Sequence, residues 1–142
     1  MSQLNYNILA IARCTSQFRS EKMAEYGLKA FHISYLLNIS NYPGISQDKL
    51  AQLIYINKSN VARQSAYLEE QGYIIRQPST TDKRAMELYP TEKTLELVPK
   101  IRAFSQEWDS FLTNDLTPEE IQTVNQVLSK MRDKAAGWMS DR

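Results

Sequence analysis

Residues 46–72 read "SQDKLAQLIYINKSNVARQSAYLEEQG", and their spacing decides the fold. A serine makes a good helix N-cap because its hydroxyl accepts a bond from an otherwise orphaned backbone N–H. Ser46 therefore opens a short helix whose Leu50, Leu53 and Ile54 face a core. After the brief "YI" connection, Asn57 caps a second helix, "KSNVARQSAYLEEQ", which Gly72 ends because glycine accepts the left-handed backbone that a helix terminus favours. Two short helices across so tight a turn, with small Ala51 in the first and Val61 and Leu68 packing from the second, describe a helix-turn-helix.

From Gly72 the chain runs directly into "YIIRQ", the polar "PSTTDKR" and then "AMELY". Met86 and Leu88 alternate with polar neighbours at the period of a strand, so this run is a two-stranded hairpin with Asp82, Lys83 and Arg84 at its tip. A helix-turn-helix followed at once by a hairpin is a winged helix, with the wing at residues 73–90. Upstream, residues 4–24 carry Leu4, Ile8, Ile11, Ala12 and Phe18 on one helical stripe that Gly27 ends. Residues 29–41 form a second helix with Phe31, Ile33, Leu36 and Leu37 on its buried face. Downstream, Pro90 stops the strand and Thr91 caps a long helix to residue 113, with Leu95, Val98, Ile101, Phe104, Trp108 and Phe111 at helical spacing. Pro99 inside it predicts a kink, since proline removes one backbone bond and crowds the preceding turn. "LTPEE" opens a last helix with Ile121, Val124, Val127, Leu128 and Met131 on one face. The expected class is mainly α with a small β-hairpin wing.

At 142 residues, the chain suffices for one domain with a true core. Seventeen Lys and Arg against sixteen Asp and Glu leave little net charge, so bulk charge announces no partner. The distribution is uneven: residues 1–90 hold ten basic and seven acidic groups, and residues 91–142 hold seven and nine, which favours an anionic partner for the first part. The single cysteine, Cys14, excludes an internal disulfide or multi-thiolate metal site and fits a reducing compartment. With no cleavable signal and no apolar run near ~18 residues, the expectation is a cytoplasmic protein that does not enter a membrane. Cys14 and His32 lack a third orienting group, a glycine-rich anion loop or a metal-ligand cluster. We therefore expect no enzyme, no catalytic residue, no metal and no cofactor.

A helix presented to a major groove needs short polar and long basic side chains on its outer face near its start. Lys58, Ser59, Asn60, Arg63, Gln64 and Tyr67 meet that need, with Ser46 at the start of the preceding helix. Asn60 and Gln64 match the paired edge groups of adenine, Arg63 those of guanine, and Lys58 or Ser59 a phosphate. On the wing, Arg84, with Lys83 beside it, suits the narrow, electronegative minor groove. Asp82 would repel phosphate, and is expected to hold Arg84, or another basic side chain, in one rotamer through a charge-assisted hydrogen bond. In an isolated helix such charges read as a solvated face; beside a helix-turn-helix and a wing they favour double-stranded DNA.

Together, "GISQDKLAQLI", "NKSNVAR...LEEQGYIIR" and "DKRAMELYPTEK" resemble the MarR family of winged helix-turn-helix transcription regulators over essentially the whole chain. The last stretch is similar to the family's D-x-R-x-x-x-L-x-L-T, with Asp82, Arg84, Leu88 and Thr91 in place. Pro90 stands where leucine is usual, and Gln64 and Ser65 stand where apolar residues are frequent. The resemblance implies a single domain over 1–142, in which 1–27 and 91–142 form a helical dimerisation region and 28–90 the winged helix-turn-helix lobe. It further implies a homodimeric repressor on a pseudo-palindromic operator. The apolar stripes beyond residue 95, with Trp138 and Met139, offer surface for such a dimer on their own account.

Many members bind a small aromatic or anionic effector in a crevice, for which Arg13 would clamp a carboxylate while Phe31, His32 and Tyr35 line the walls. Some respond to peroxides through a first-helix cysteine. Aligned on Gly27 and Leu28, Cys14 lies about two and a half turns beyond that position, so an unreactive, partly buried thiol is expected. Two alternatives stand beside the DNA-binding repressor: a winged-helix module that docks protein, and a thiol-based redox-responsive regulator.

Overall fold

The structure is a computed structural model and describes residues 2–141, so the outermost residue at each end of the expected span lies outside the described residues. Its elements run α1 (Gln3–Met23), a single 3-10 turn (Ala24–Tyr26), α2 (His32–Asn41), β1 (Ile45–Ser46), α3 (Gln47–Ile54), α4 (Lys58–Glu70), β2 (Ile74–Pro78), β3 (Met86–Pro90), α5 (Glu92–Thr113) and α6 (Pro118–Ser140). The contacts divide the chain into two compact units, Met1–Trp108 and Asp109–Arg142.

In the first unit, the expected caps of α3 and α4 both form. The Ser46 hydroxyl accepts from the Lys49 N–H at 3.0 Å, and the Asn57 carboxamide oxygen accepts from the Asn60 N–H at 2.8 Å. The turn between α3 and α4 is closed by Tyr55 in the left-handed region (φ 59°), where its N–H returns to the Ala51 carbonyl. Leu50, Val61 and Leu68 are fully buried, which is the helix-turn-helix packing that their spacing predicts. Leu53 instead is exposed and Ile54 only half-buried, because so short a helix turns one narrow stripe, through Leu50 and Ala51, toward the core.

The sheet has one more strand than expected: β1 pairs with β3, and β3 with β2, all antiparallel, in the order β1-β3-β2. Leu88 sits at its centre, opposite Ile45 on one side and Arg76 on the other, and is fully buried. The turn into β1 requires a glycine, since Gly44 has φ +92° and a Cβ there would come within 3.2 Å of the Tyr89 hydroxyl.

Other expectations need correction. Helix α2 begins at His32, and Phe31 is its exposed N-cap residue instead of a core residue. The Thr91 hydroxyl donates to the Gly72 and Tyr73 carbonyls at 2.7 and 3.1 Å, which pins α5 to the start of β2 instead of capping the helix. On α5, Val98, Ile101 and Phe104 are buried while Leu95 is exposed. The stripe on α1 is covered only near its end, where Phe18 stacks on Trp108 at 4.7 Å and Met23 is fully buried. Leu4, Ile8 and Ile11 remain exposed.

In the second unit, Thr117 and Glu120 form a reciprocal capping box at the start of α6: the threonine hydroxyl accepts from the Glu120 N–H, and the glutamate from the Thr117 N–H. None of the described residues of α6 is buried, and Val124, Val127 and Leu128 are all exposed. Among the described residues, no helix is long and apolar enough to cross a membrane.

Candidate nucleic-acid interface

The first turns of α4 present Lys58, Ser59 and Arg63 to solvent, with Asn60 half-buried beside them. The Asn57 cap organises this end twice over, since it also accepts from the Ser59 hydroxyl at 2.9 Å. Asn60 receives the Arg63 guanidinium at 3.5 Å, a long contact that an incoming acceptor can replace. Lys58 lies 3.4 Å from Asp48 of α3, with both side chains about two-thirds exposed, so the pair is weak and the ammonium can exchange to another anion.

Gln64 is half-buried and Tyr67 exposed, and both side chains are engaged by groups outside α4. The Gln64 carboxamide oxygen is 2.9 Å from His32 Nε2, and the Tyr67 hydroxyl donates to the Gly27 carbonyl at 2.9 Å. The Tyr67 ring stacks on His32 at 5.3 Å with 12° between planes. Both side chains thus hold α4 against the start of α2 and the turn before it. Burial holds the His32 imidazole below its ordinary pKa; the Gln64 bond opposes that shift, and the charge of Lys29 adds to it.

The wing tip is a hydrogen-bonded turn. Ser79 is buried, and its hydroxyl oxygen accepts from the Thr81 and Asp82 N–H groups at 3.2 Å each. The Asp82 carboxylate accepts from the Arg84 backbone N–H at 3.0 Å, so it fixes the turn that carries Arg84 instead of gripping the guanidinium. Lys83 and Arg84 are exposed.

Sequence reasoning missed three stabilising groups: Ser79; the Glu69 carboxylate, which accepts from the Arg76 N–H at 2.9 Å and from its Nε at 3.1 Å; and Tyr73, whose hydroxyl donates to the Tyr26 carbonyl at 3.0 Å. For Ser79 a signal existed, because serine before "TTD" is placed to bond backbone N–H groups two and three residues on.

The four residues expected to form an effector crevice do not line one hollow. Arg13 is exposed on α1 and borders a hollow of about 250 Å³ with Tyr6, Leu9 and Ala10 of the same helix. Phe31, His32 and Tyr35 cluster through their rings, but His32 and Tyr35 are buried, leaving only Phe31 exposed. Burial raises the Tyr35 phenol above its usual pKa, against the pull of the Arg63 charge. Cys14 is exposed on α1 and not partly buried as expected, because no side chain among the described residues covers it.

Residues 29–86, the span that carries α2, the helix-turn-helix and the wing turn, match the sequence model of the MarR family. An uncharacterized HTH-type transcriptional regulator of Bacillus subtilis, YybA, is 30% identical over 132 residues, covering 93% of this chain and 88% of the relative. The chain belongs to the MarR family. Among solved structures, the transcriptional regulator SlyA matches this MarR-family chain with a TM-score of 0.93 at 29% identity, over 98% of each chain. A MarR-family transcriptional regulator from Listeria monocytogenes, complexed with a 26-mer DNA, matches with a TM-score of 0.91 at 27% identity, over 98% of this chain and 93% of that one. The mainly helical chain with its small antiparallel sheet is the winged-helix arrangement of this family.

Proposed function

We propose that the protein is a homodimeric, sequence-specific DNA-binding transcription regulator that represses by occupying a promoter. The observation that carries this reading is the pairing of two cationic elements in one compact unit: the start of α4, with Lys58 and Arg63 exposed around the Asn57 cap, and the wing tip, with Lys83 and Arg84 exposed on an Asp82-stapled turn. The Listeria relative complexed with DNA supports it. In this reading Arg63 and Asn60 contact base edges, Lys58 and Ser59 phosphate, and Arg84 with Lys83 the minor groove. Ser46, Gln64, Tyr67 and Asp82 position those groups through the contacts described above.

The dimer is supported by exposed apolar side chains that a monomer would leave wet: Leu4, Ile8, Leu9 and Ile11 on α1, and Val124, Val127, Leu128 and Met139 on α6. Residues 1–27 and 91–142 are accordingly the dimerisation region and 28–90 the DNA-binding lobe. A second copy also raises affinity by effective concentration, since one winged helix makes few contacts. Release by a small aromatic or anionic effector completes the scheme.

Selection of bound duplexes from a random pool, followed by titration of the winner at two salt concentrations, tests the reading. An enriched, roughly palindromic motif whose affinity falls with salt supports it, because neutralised phosphates release counterions. No enrichment, together with salt-insensitive association with a protein, would point to a protein-docking winged helix instead.

A further inference from the structure

His32 is buried to within 2% of full coverage, at the junction of α2 and α4. Its Nδ1 accepts from the Lys29 backbone N–H at 2.9 Å, and its Nε2 lies 2.9 Å from the Gln64 carboxamide oxygen. A backbone N–H can only donate, so Nδ1 must present a lone pair, and the single proton of a neutral ring then sits on Nε2, where it donates to Gln64. The ring is held between Phe31 at 4.4 Å and Tyr67 at 5.3 Å. Through Gln64 and Tyr67, therefore, one imidazole ties two positions of α4, adjacent to and one turn beyond Arg63, to the turn at residues 27–32.

The groups that face this ring are Lys29 from the turn before α2, Tyr35 from α2, and Gln64 and Tyr67 from α4; farther out, the charge of Arg63 reaches Tyr35. No carboxylate pairs with the ring among the described residues. Among the described residues, the hydrogen-bonding group that favours an imidazolium is the Gln64 oxygen. A proton added at Nδ1 would face the Lys29 N–H, donor against donor at a distance that needs an acceptor, and the bond that ties the Lys29 backbone to the ring would break.

We infer that His32 is a positioning residue whose neutral ring latches α4 in its DNA-reading orientation, so that protonation of the ring weakens DNA binding. The inference rests on the DNA-binding reading above. The affinity is full when the ring is neutral and falls as pH drops through the folded-state midpoint of the imidazole, which lies below 6.5. If only the neutral form reads DNA, the apparent affinity declines by up to about tenfold per pH unit below that midpoint.

His32 is the chain's only histidine, so in the untagged full-length protein the imidazole nitrogen resonances belong to it alone. Nitrogen-15 NMR at about pH 8 should place the proton on Nε2 and, on acidification to about pH 5, give the ring's midpoint. The dissociation constant for the selected duplex, measured at fixed salt over the same range, should weaken with that same midpoint. In His32→Gln, the glutamine oxygen can accept from Lys29 and its amide can donate to Gln64 without titrating. This variant should bind as the native chain does at about pH 8 and hold that affinity on acidification.

A ring carrying its proton on Nδ1, an affinity midpoint that departs from the ring's, or the same pH slope in both proteins would each overturn the latch. The comparison of the two native-chain midpoints decides the matter even if the variant folds poorly. If neither protein binds any duplex at about pH 8, the DNA-binding reading itself fails and the latch with it, an outcome distinct from pH-independent binding.

Discussion

At the residue scale, the two arginines proposed to meet DNA, Arg63 and Arg84, are expected to fail in different ways. Among the described residues, the hydrogen bond that holds the Arg63 side chain is the long contact to Asn60, so its guanidinium is available to a base edge. Arg63→Ala should cost about 1–3 kcal/mol in binding and relax preference at one position of the site, as read by competition between matched and mismatched duplexes. An equal loss on every sequence would reassign it to phosphate. Arg84 stands on a turn fixed by backbone bonds, so its removal leaves that turn intact. Arg84→Ala should weaken binding while circular dichroism and unfolding midpoint stay unchanged. The exposure of both arginines was legible in the sequence because it follows from position near a helix start or at a hairpin tip. The engagement of Gln64 and Tyr67 was not, because helical spacing gives an angle around α4 but not what the neighbouring helix puts there.

At the element scale, the wing and the end of α4 depend on side chains that bond to backbone. Ser79→Ala removes the acceptor shared by the Thr81 and Asp82 N–H groups, and should speed hydrogen exchange at the tip and weaken DNA binding by less than Arg84→Ala does. Glu69 joins α4 to β2, and its carboxyl is held below the ordinary 4.5, first by the backbone N–H of Arg76 and further by the side chain of that arginine, against a smaller effect of burial. A depressed carboxylate contributes stability above the unfolded value that is lost as pH falls through the folded one. Glu69→Gln should therefore lower the urea midpoint at about pH 6 and have progressively less effect below 4.5. A gap of constant size across that range would assign the bond to shape instead of charge. The third strand escaped sequence reading for a related reason: β1 is two residues long, and its partner Leu88 lies far along the chain, so no local period marks it.

At the scale of the whole molecule, the exposed apolar faces of α1 and α6 predict that folding and association are linked. Val127→Glu places a charge on the wet apolar face of α6, where none of the described residues is buried, so it should shift sedimentation toward the monomer. It should also weaken operator binding. The native chain's unfolding midpoint should rise with protein concentration, as mass action requires of a dimer. A native chain that sediments as a monomer at all concentrations would remove the dimer from the mechanism.

The sequence by itself determined the order of the helices and of the two wing strands, the caps at Ser46 and Asn57, the helix-turn-helix core through Leu50, Val61 and Leu68, and the cationic tip of the wing, because each follows from neighbours a few residues apart. Only the tertiary structure decided that β1 completes the sheet, that His32, Gln64, Tyr67 and Gly27 form one junction, and that the stripe on α1 stays largely uncovered. The physical reason is range. A periodic pattern tells a side chain which way to face, while the partner it meets there is supplied by chain remote in sequence.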